Sequence, residues 1–157
     1  MSKLQEFIQA SPVLATIIGD TLDVHVDFTP DSLRKIDAAL NGVYPLGHEP
    51  MLSTIMSYGI YLGEVFVRNV DGAEWQQETE NFMDWNFKIS RENHTFIGYP
   101  MKRVQSYWFD RTNALYSYFQ MNMDALNGKL IMKESSQWID QEGQYRYRFS
   151  RKLQSKG

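Results

Sequence analysis

The chain has no cysteine, so disulfides and thiolate metal sites are excluded. A cysteine-free chain of this size suits a reducing compartment, and a cytoplasmic location is expected. No apolar stretch approaches the ~20 residues that a membrane helix needs; one of the longest, Val13–Ile18, falls far short. The opening segment Met1–Ala10 carries Lys3, Gln5 and Glu6 and has no apolar h-region, so no signal peptide is read. Neither a P-loop nor a Gly-x-Gly-x-x-Gly turn is present, and no cofactor is expected. The zinc-helix pattern His-Glu-x-x-His and the serine-hydrolase elbow Gly-x-Ser-x-Gly are missing too. No repeat, low-complexity tract or proline-rich linker divides the sequence.

What is present is enough for one packed interior. The 157 residues are 43% hydrophobic and 14% aromatic, a length and composition that fit one domain spanning 1–157, with its core over about 13–150. The net charge of −3 hides a gradient. Residues 1–81 carry four basic groups against twelve acidic ones, a net of −8, whereas residues 82–157 carry twelve against seven, a net of +5. Such a division either orients a charged partner or is neutralised internally where the halves pack together.

Periodicity then places the elements. Leu22, Val24, Val26 and Phe28 alternate with Asp23, His25 and Asp27, which predicts a half-buried strand over Thr21–Phe28. A helix start follows: Thr29 as N-cap, Pro30 at N1, Asp31 in the first turn, and Phe28 with Leu33 as a hydrophobic staple. This helix should bury Leu33, Ile36 and Leu40 and end near Leu40 at Asn41-Gly42. A longer helix is expected from about Met51 to Val70, with Leu52, Ile55, Met56, Gly59, Leu62 and Phe66 inward. Gly59 and Gly63 share one face, so another element should approach closely there. Ser57, Tyr61, Glu64 and Arg68 form a polar stripe expected to face outward, with Glu64 and Arg68 paired at i,i+4.

Further on, Met83–Ile89 reads as a strand with His94–Tyr99 as its hairpin partner. Met101–Phe109 is expected to be helical, and Thr112 to cap a helix from Asn113 to Leu126. Lys129–Ile139 fits no single period. Gln144–Ser150 alternates as a strand, with Tyr145, Tyr147 and Phe149 opposite Arg146, Arg148 and Ser150. The unequal blocks lack βαβ regularity, so the fold class expected is α+β: a single domain with helices packed on a small, mostly antiparallel sheet.

Three constellations bear on chemistry. Asp23, His25 and Asp27 would share one strand face, but Asp23 and Asp27 would lie some 13 Å apart at ~3.3–3.4 Å per residue. They are weak metal candidates, needing donors such as His48, His94 or Glu49, and a solvated strand face is the favoured reading. His48-Glu49 on a loop resembles a proton relay in composition, although Glu49 and Pro50 also suit a helix start. The Tyr145–Lys152 run interleaves aromatic and basic residues as single-strand binders do. Alternation, however, puts rings and arginines on opposite faces, and the acidic chain argues against nucleic acid.

The segment Tyr58-Gly59-Ile60-Tyr61-Leu62-Gly63-Glu64-Val65, the capped Ser32–Asp37 stretch, Trp75, Met83–Tyr99 and Pro100 together resemble small uncharacterised bacterial and phage proteins with a Gly-x-Tyr-Leu-Gly-Glu helix. The resemblance spans roughly residues 28–120 and implies a fold and a bacterial or phage setting, but no catalytic residue. The expectation is a non-catalytic protein-interaction domain of the immunity or inhibitor kind, with Tyr61, Glu64, Arg68, Arg146 and Arg148 as interaction residues. A homodimer is compatible with this, and no membrane partner is expected. Two alternatives remain: a small hydrolase or ligand binder using Asp23, His25, His48, Glu49 and Glu64, and nucleic-acid binding through the C-terminal strand.

Overall fold

Ser2 starts the first helix on a reciprocal cap: Gln5 N–H donates to Ser2 Oγ at 3.1 Å, and the Gln5 side chain accepts Ser2 N–H at 3.0 Å. The computed structural model describes residues 2–47, 49–77, 87–91, 96–111, 114–128, 130–132, 138–140 and 145–147. Helix α1 (Lys3–Gln9) leads directly into α2 (Ser11–Leu22). The buried residues of α2 are Ser11, Ala15, Ile18 and Leu22, one face at helical spacing.

This corrects the strand expected over Thr21–Phe28. Thr21 and Leu22 finish α2, and Asp23 closes it in a left-handed conformation with φ 55°. The chain then doubles back, and a Cβ at Gly19 would sit 3.0 Å from Val24 O. Val24, Val26 and Phe28 are indeed half-buried, while Asp23, His25 and Asp27 are exposed. The alternation therefore reported which side faces the core, but the segment lies on its own preceding helix and pairs with no strand among the described residues.

Helix α3 (Pro30–Val43) starts as its sequence dictates, with Thr29 Oγ1 accepting Ser32 N–H at 3.3 Å. Leu33, Ile36 and Leu40 are fully buried, each contributing up to about 1.5–3 kcal/mol of burial energy. The helix does not stop at Leu40. Gly42 stays helical, and Tyr44 forms the C-cap.

Helix α4 (Leu52–Asn69) is the axis of the fold. Every residue from Tyr58 to Phe66 is buried, so this stretch has no solvent face. The glycines allow the enclosure: a Cβ on Gly59 would reach 2.7 Å from Met101 Cγ, and one on Gly63 would run into the Trp75 ring. The expected close approach at both glycines is found. The inward stripe holds for Ile55, Gly59, Leu62 and Phe66, but Leu52 is exposed and Met56 half-buried.

Strands β1 (Ala73–Gln77), β2 (Phe87–Arg91) and β3 (Phe96–Gly98) form an antiparallel sheet in that order, with Ala73 opposite Arg91 and Gln77 opposite Phe87. Phe87 and Ile89 face the interior together, as their alternation requires; residues 78–86, which include the start of the expected strand, lie outside the described residues. Strand β1 was not expected. Pro100 opens α5 (Pro100–Phe109), and α6 (Leu115–Leu126) follows with Leu115, Tyr118 and Phe119 buried. The expected cap Thr112 lies outside the described residues. A second antiparallel sheet contains β4 (Leu130–Met132), β5 (Trp138–Asp140) and β6 (Tyr145–Tyr147). The architecture is α+β, with helices packed against a small antiparallel sheet and one hydrophobic cluster running from Leu4 to Met121.

Candidate functional site

The polar stripe of α4 turns inward, which corrects the expectation that Tyr61 and Glu64 face solvent: they are 1% and 5% exposed. The cause is crowding by α2, the 23–29 segment and β1. Glu64 Oε2 accepts the Trp75 indole N–H at 3.0 Å, and Oε1 faces Arg68 Nε at 3.3 Å and Ser11 Oγ at 3.5 Å. Arg68 Nη2 donates to Ser11 Oγ at 3.2 Å, and its guanidinium lies 3.6 Å over the Phe28 ring. The expected Glu64–Arg68 pair is formed, with Arg68 half in water and Glu64 sealed. The Tyr61 hydroxyl meets Ser32 Oγ at 2.5 Å and accepts Phe28 N–H at 3.0 Å. Asn69 Nδ2 donates to Phe28 O at 2.7 Å. Together these bonds hold Phe28 at φ 62°, a left-handed conformation that costs a non-glycine residue about 1–2 kcal/mol. Chemically, this cluster is a set of braces between α2, α3, α4 and β1, with the Glu64 oxygens already engaged.

The other sequence candidates that lie among the described residues do not gather. Asp23 caps α2, His25 Nε2 lies 3.7 Å from Asp27 Oδ2 in an exposed pair, and Asp27 also accepts the Thr29 hydroxyl at 2.6 Å. That hydroxyl, chiefly, holds the Asp27 carboxyl below its ordinary value. Among the described residues no group of three or more histidine and carboxylate side chains is placed to share a metal ion. Glu49 is exposed on its loop; His48, His94 and Arg148 lie outside the described residues, and Arg146 is placed in β6.

A second internal cluster was not anticipated. The carboxylate of half-buried Asp37 accepts Leu115 N–H at 3.0 Å and Tyr116 N–H at 2.9 Å, capping α6 from α3. Burial raises its pKa against these bonds and against the neighbouring Tyr107 hydroxyl. Buried Arg103 stacks over the Tyr118 ring at 4.6 Å, and burial lowers its pKa. The sequence offered one hint: Ala114, at the N-cap of α6, has no side chain able to cap it.

The surface is least ordinary at one pole, where α3 ends, α4 begins and α5 ends. Val43, Leu46, Met51, Leu52 and Phe109 are all exposed there, with Leu46 at 64% and Met51 at 70%. They account for five of the seven exposed large apolar side chains among the described residues; the other two are Val13 and Ile17 on α2. The pole is built on three rings. Tyr44 lies 5.1 Å from Trp108 and 6.4 Å from Tyr58, and Tyr58 lies 5.4 Å from Trp108, centroid to centroid. Arg111 ties the end of α5 to this platform, donating to Asn41 Oδ1 at 2.6 Å and Tyr44 O at 2.8 Å. Sequence reasoning missed it because attention in the loop before α4 fell on His48 and Glu49, and Arg111 lay between the two expected helices Met101–Phe109 and Asn113–Leu126.

No protein-family model matches the chain, and no curated protein or solved structure matches it with significance. No helix among the described residues is long and apolar enough to cross a membrane.

Proposed function

We propose that this chain is a non-catalytic protein-interaction module whose contact face is the pole formed by the α3–α4 connection and the end of α5. The observation that carries the reading is the concentration of exposed Val43, Leu46, Met51, Leu52 and Phe109 at that one end. Contiguous exposed apolar surface costs solubility and is characteristic of interfaces. Methionine, aromatic and arginine side chains are also enriched in interfaces, and Met51, Phe109 and Arg111 supply them here. The interior argues the same way. Of the carboxylates that the hydrolase alternative would use, Glu64 is committed to Ser11, Arg68 and Trp75, and Asp23 and Glu49 lie exposed on separate segments, an arrangement that favours bracing over acid–base work. The bacterial or phage setting and cytoplasmic location implied at the sequence level belong to the same reading.

Site-specific photocrosslinking in the source cells tests it. A photoreactive phenylalanine analogue at Met51 should trap a discrete protein adduct, whereas the same analogue at exposed Gln76 on β1 should not. Equal labelling at both positions, or none at Met51, would remove the pole as the interface.

A further inference from the structure

The end of α5 that carries exposed Phe109 also carries hydrogen-bond donors without acceptors among the described residues, and this narrows the partner. A guanidinium carries five N–H donors. In Arg111, Nη1 and Nη2 each use one on a neutral acceptor, Asn41 Oδ1 and Tyr44 O. Its Nε is buried with no acceptor among the described residues, and no carboxylate of those residues lies within 4.0 Å to form an ion pair with it. The charge of Asp110, its neighbour in sequence, favours the ionised form of Arg103. The Arg111 guanidinium carbon lies 5.3 Å from the ring centroids of both Tyr107 and Trp108, so apolar ring surface flanks the charge. Beneath it, the Trp108 indole N–H is also buried without an acceptor, and the Tyr58 hydroxyl sits beside Tyr44 without a hydrogen bond of good geometry.

Two of these orphaned groups, Arg111 Nε and Trp108 Nε1, can only donate. Native interiors leave few such groups unpaired, and each one calls for an explanation. A cation among rings, half out of water, with neutral acceptors on only part of its donor set, is matched best by a carboxylate. The exposed rim, meanwhile, is matched by apolar side chains. Resting on the reading of the pole as an interface, we infer that the partner docks there through an apolar segment carrying an aspartate or glutamate, whose carboxylate seats on Arg111. The bond would go to the Nη hydrogens not used by Asn41 and Tyr44, since Nε is buried, and the apolar flanks would cover Leu46, Met51 and Phe109. Burial beneath that cover would strengthen the ion pair.

The test selects from a random displayed-peptide library on the intact chain and then titrates the best peptide. Enriched peptides should share an acidic residue flanked by apolar ones. Replacing that residue by its amide should weaken binding at least tenfold, as should Arg111→Gln. Met51→Asp, at a position 70% exposed, should do the same without lowering the unfolding midpoint, since aspartate suits this N-cap of α4, which keeps the test valid if Arg111→Gln perturbs the fold. Peptides that need Met51 but carry no carboxylate, or bind Arg111→Gln equally well, would overturn the acidic preference while sparing the interface. Failure of any peptide to enrich, or binding indifferent to Met51→Asp, would overturn both readings. Concentration-dependent self-association abolished by Met51→Asp would identify the occupant as a second copy and overturn the acidic segment.

Discussion

Asp37 and Leu115 are 78 positions apart, yet the carboxylate of one accepts the backbone N–H of the other at 3.0 Å. A helix start whose own N-cap is alanine is thus capped from a different helix, which couples α3 to α6 through a single side chain.

The capping carboxylate carries a pH signature. Burial raises the pKa of Asp37, so between the unfolded value near 4 and the raised folded value, the folded chain binds more protons than the unfolded one. Its contribution to stability is therefore complete below that window and is lost as pH rises through it. Asp37→Asn should cost about 1 kcal/mol at low pH, for one weakened cap bond, and should gain stability relative to the parent as pH rises. Urea unfolding of both proteins at several pH values checks this. A variant that loses ground with rising pH would show that the ionised cap is the favoured form.

Gly63 and Trp75 should behave as one unit. Alanine is intrinsically the better helix former by about 1 kcal/mol, yet a Cβ at this position meets the indole. Gly63→Ala should therefore destabilise by about 1–3 kcal/mol, as overpacking does. On a Trp75→Ala background the same change should be much less costly or even favourable. A double-mutant cycle read by chemical denaturation gives the coupling, and additive effects would contradict the contact.

Glu64 should tolerate its amide better than its removal. Glu64→Gln keeps an oxygen for the Trp75 indole, whereas Glu64→Ala leaves that N–H and the inner edge of Arg68 without an acceptor. The alanine variant should lose roughly 2–3 kcal/mol, discounted for the exposure of Arg68. Trp75 fluorescence in a denaturant titration reads both stability and the indole environment. Equal losses in the two variants would mean that charge alone matters.

Tyr61→Phe removes the hydroxyl that accepts Phe28 N–H and meets Ser32, while keeping the ring packed 4.8 Å from that of Phe28. The expected loss is about 1–2 kcal/mol, since Phe28 N–H and the Ser32 hydroxyl then lose a partner. Thermal unfolding measures it; an unchanged midpoint would show that Asn69 alone holds the Phe28 turn.

Local signals were legible where the chain acts on its near neighbours. Thr29-Pro30, the Leu33–Ile36–Leu40 stripe, the paired glycines and the Phe87/Ile89 alternation all led to the observed structure, and so did the α+β class. Misreadings arose where distant elements decided the outcome. Leu22–Phe28 alternates because one side of it lies on α2, and periodicity cannot distinguish a helix from a neighbouring strand as the covering surface. Tyr61 and Glu64 look like an outer stripe only if α4 has an outer side, which α2 and β1 remove. The pole was invisible for the opposite reason. Its residues are scattered over positions 43–52 and 109–111, and what brings them together is the packing of Tyr44 and Tyr58 on Trp108 and the Arg111 bonds to Asn41 and Tyr44.

The enclosure of α4 also fixes the helix in rotation and in depth. From Tyr58 to Phe66 every residue is buried, so turning or sliding the helix would drive one residue type into space shaped for another. The two glycines act as gauges: a larger side chain brought into either place would meet Met101 or Trp75.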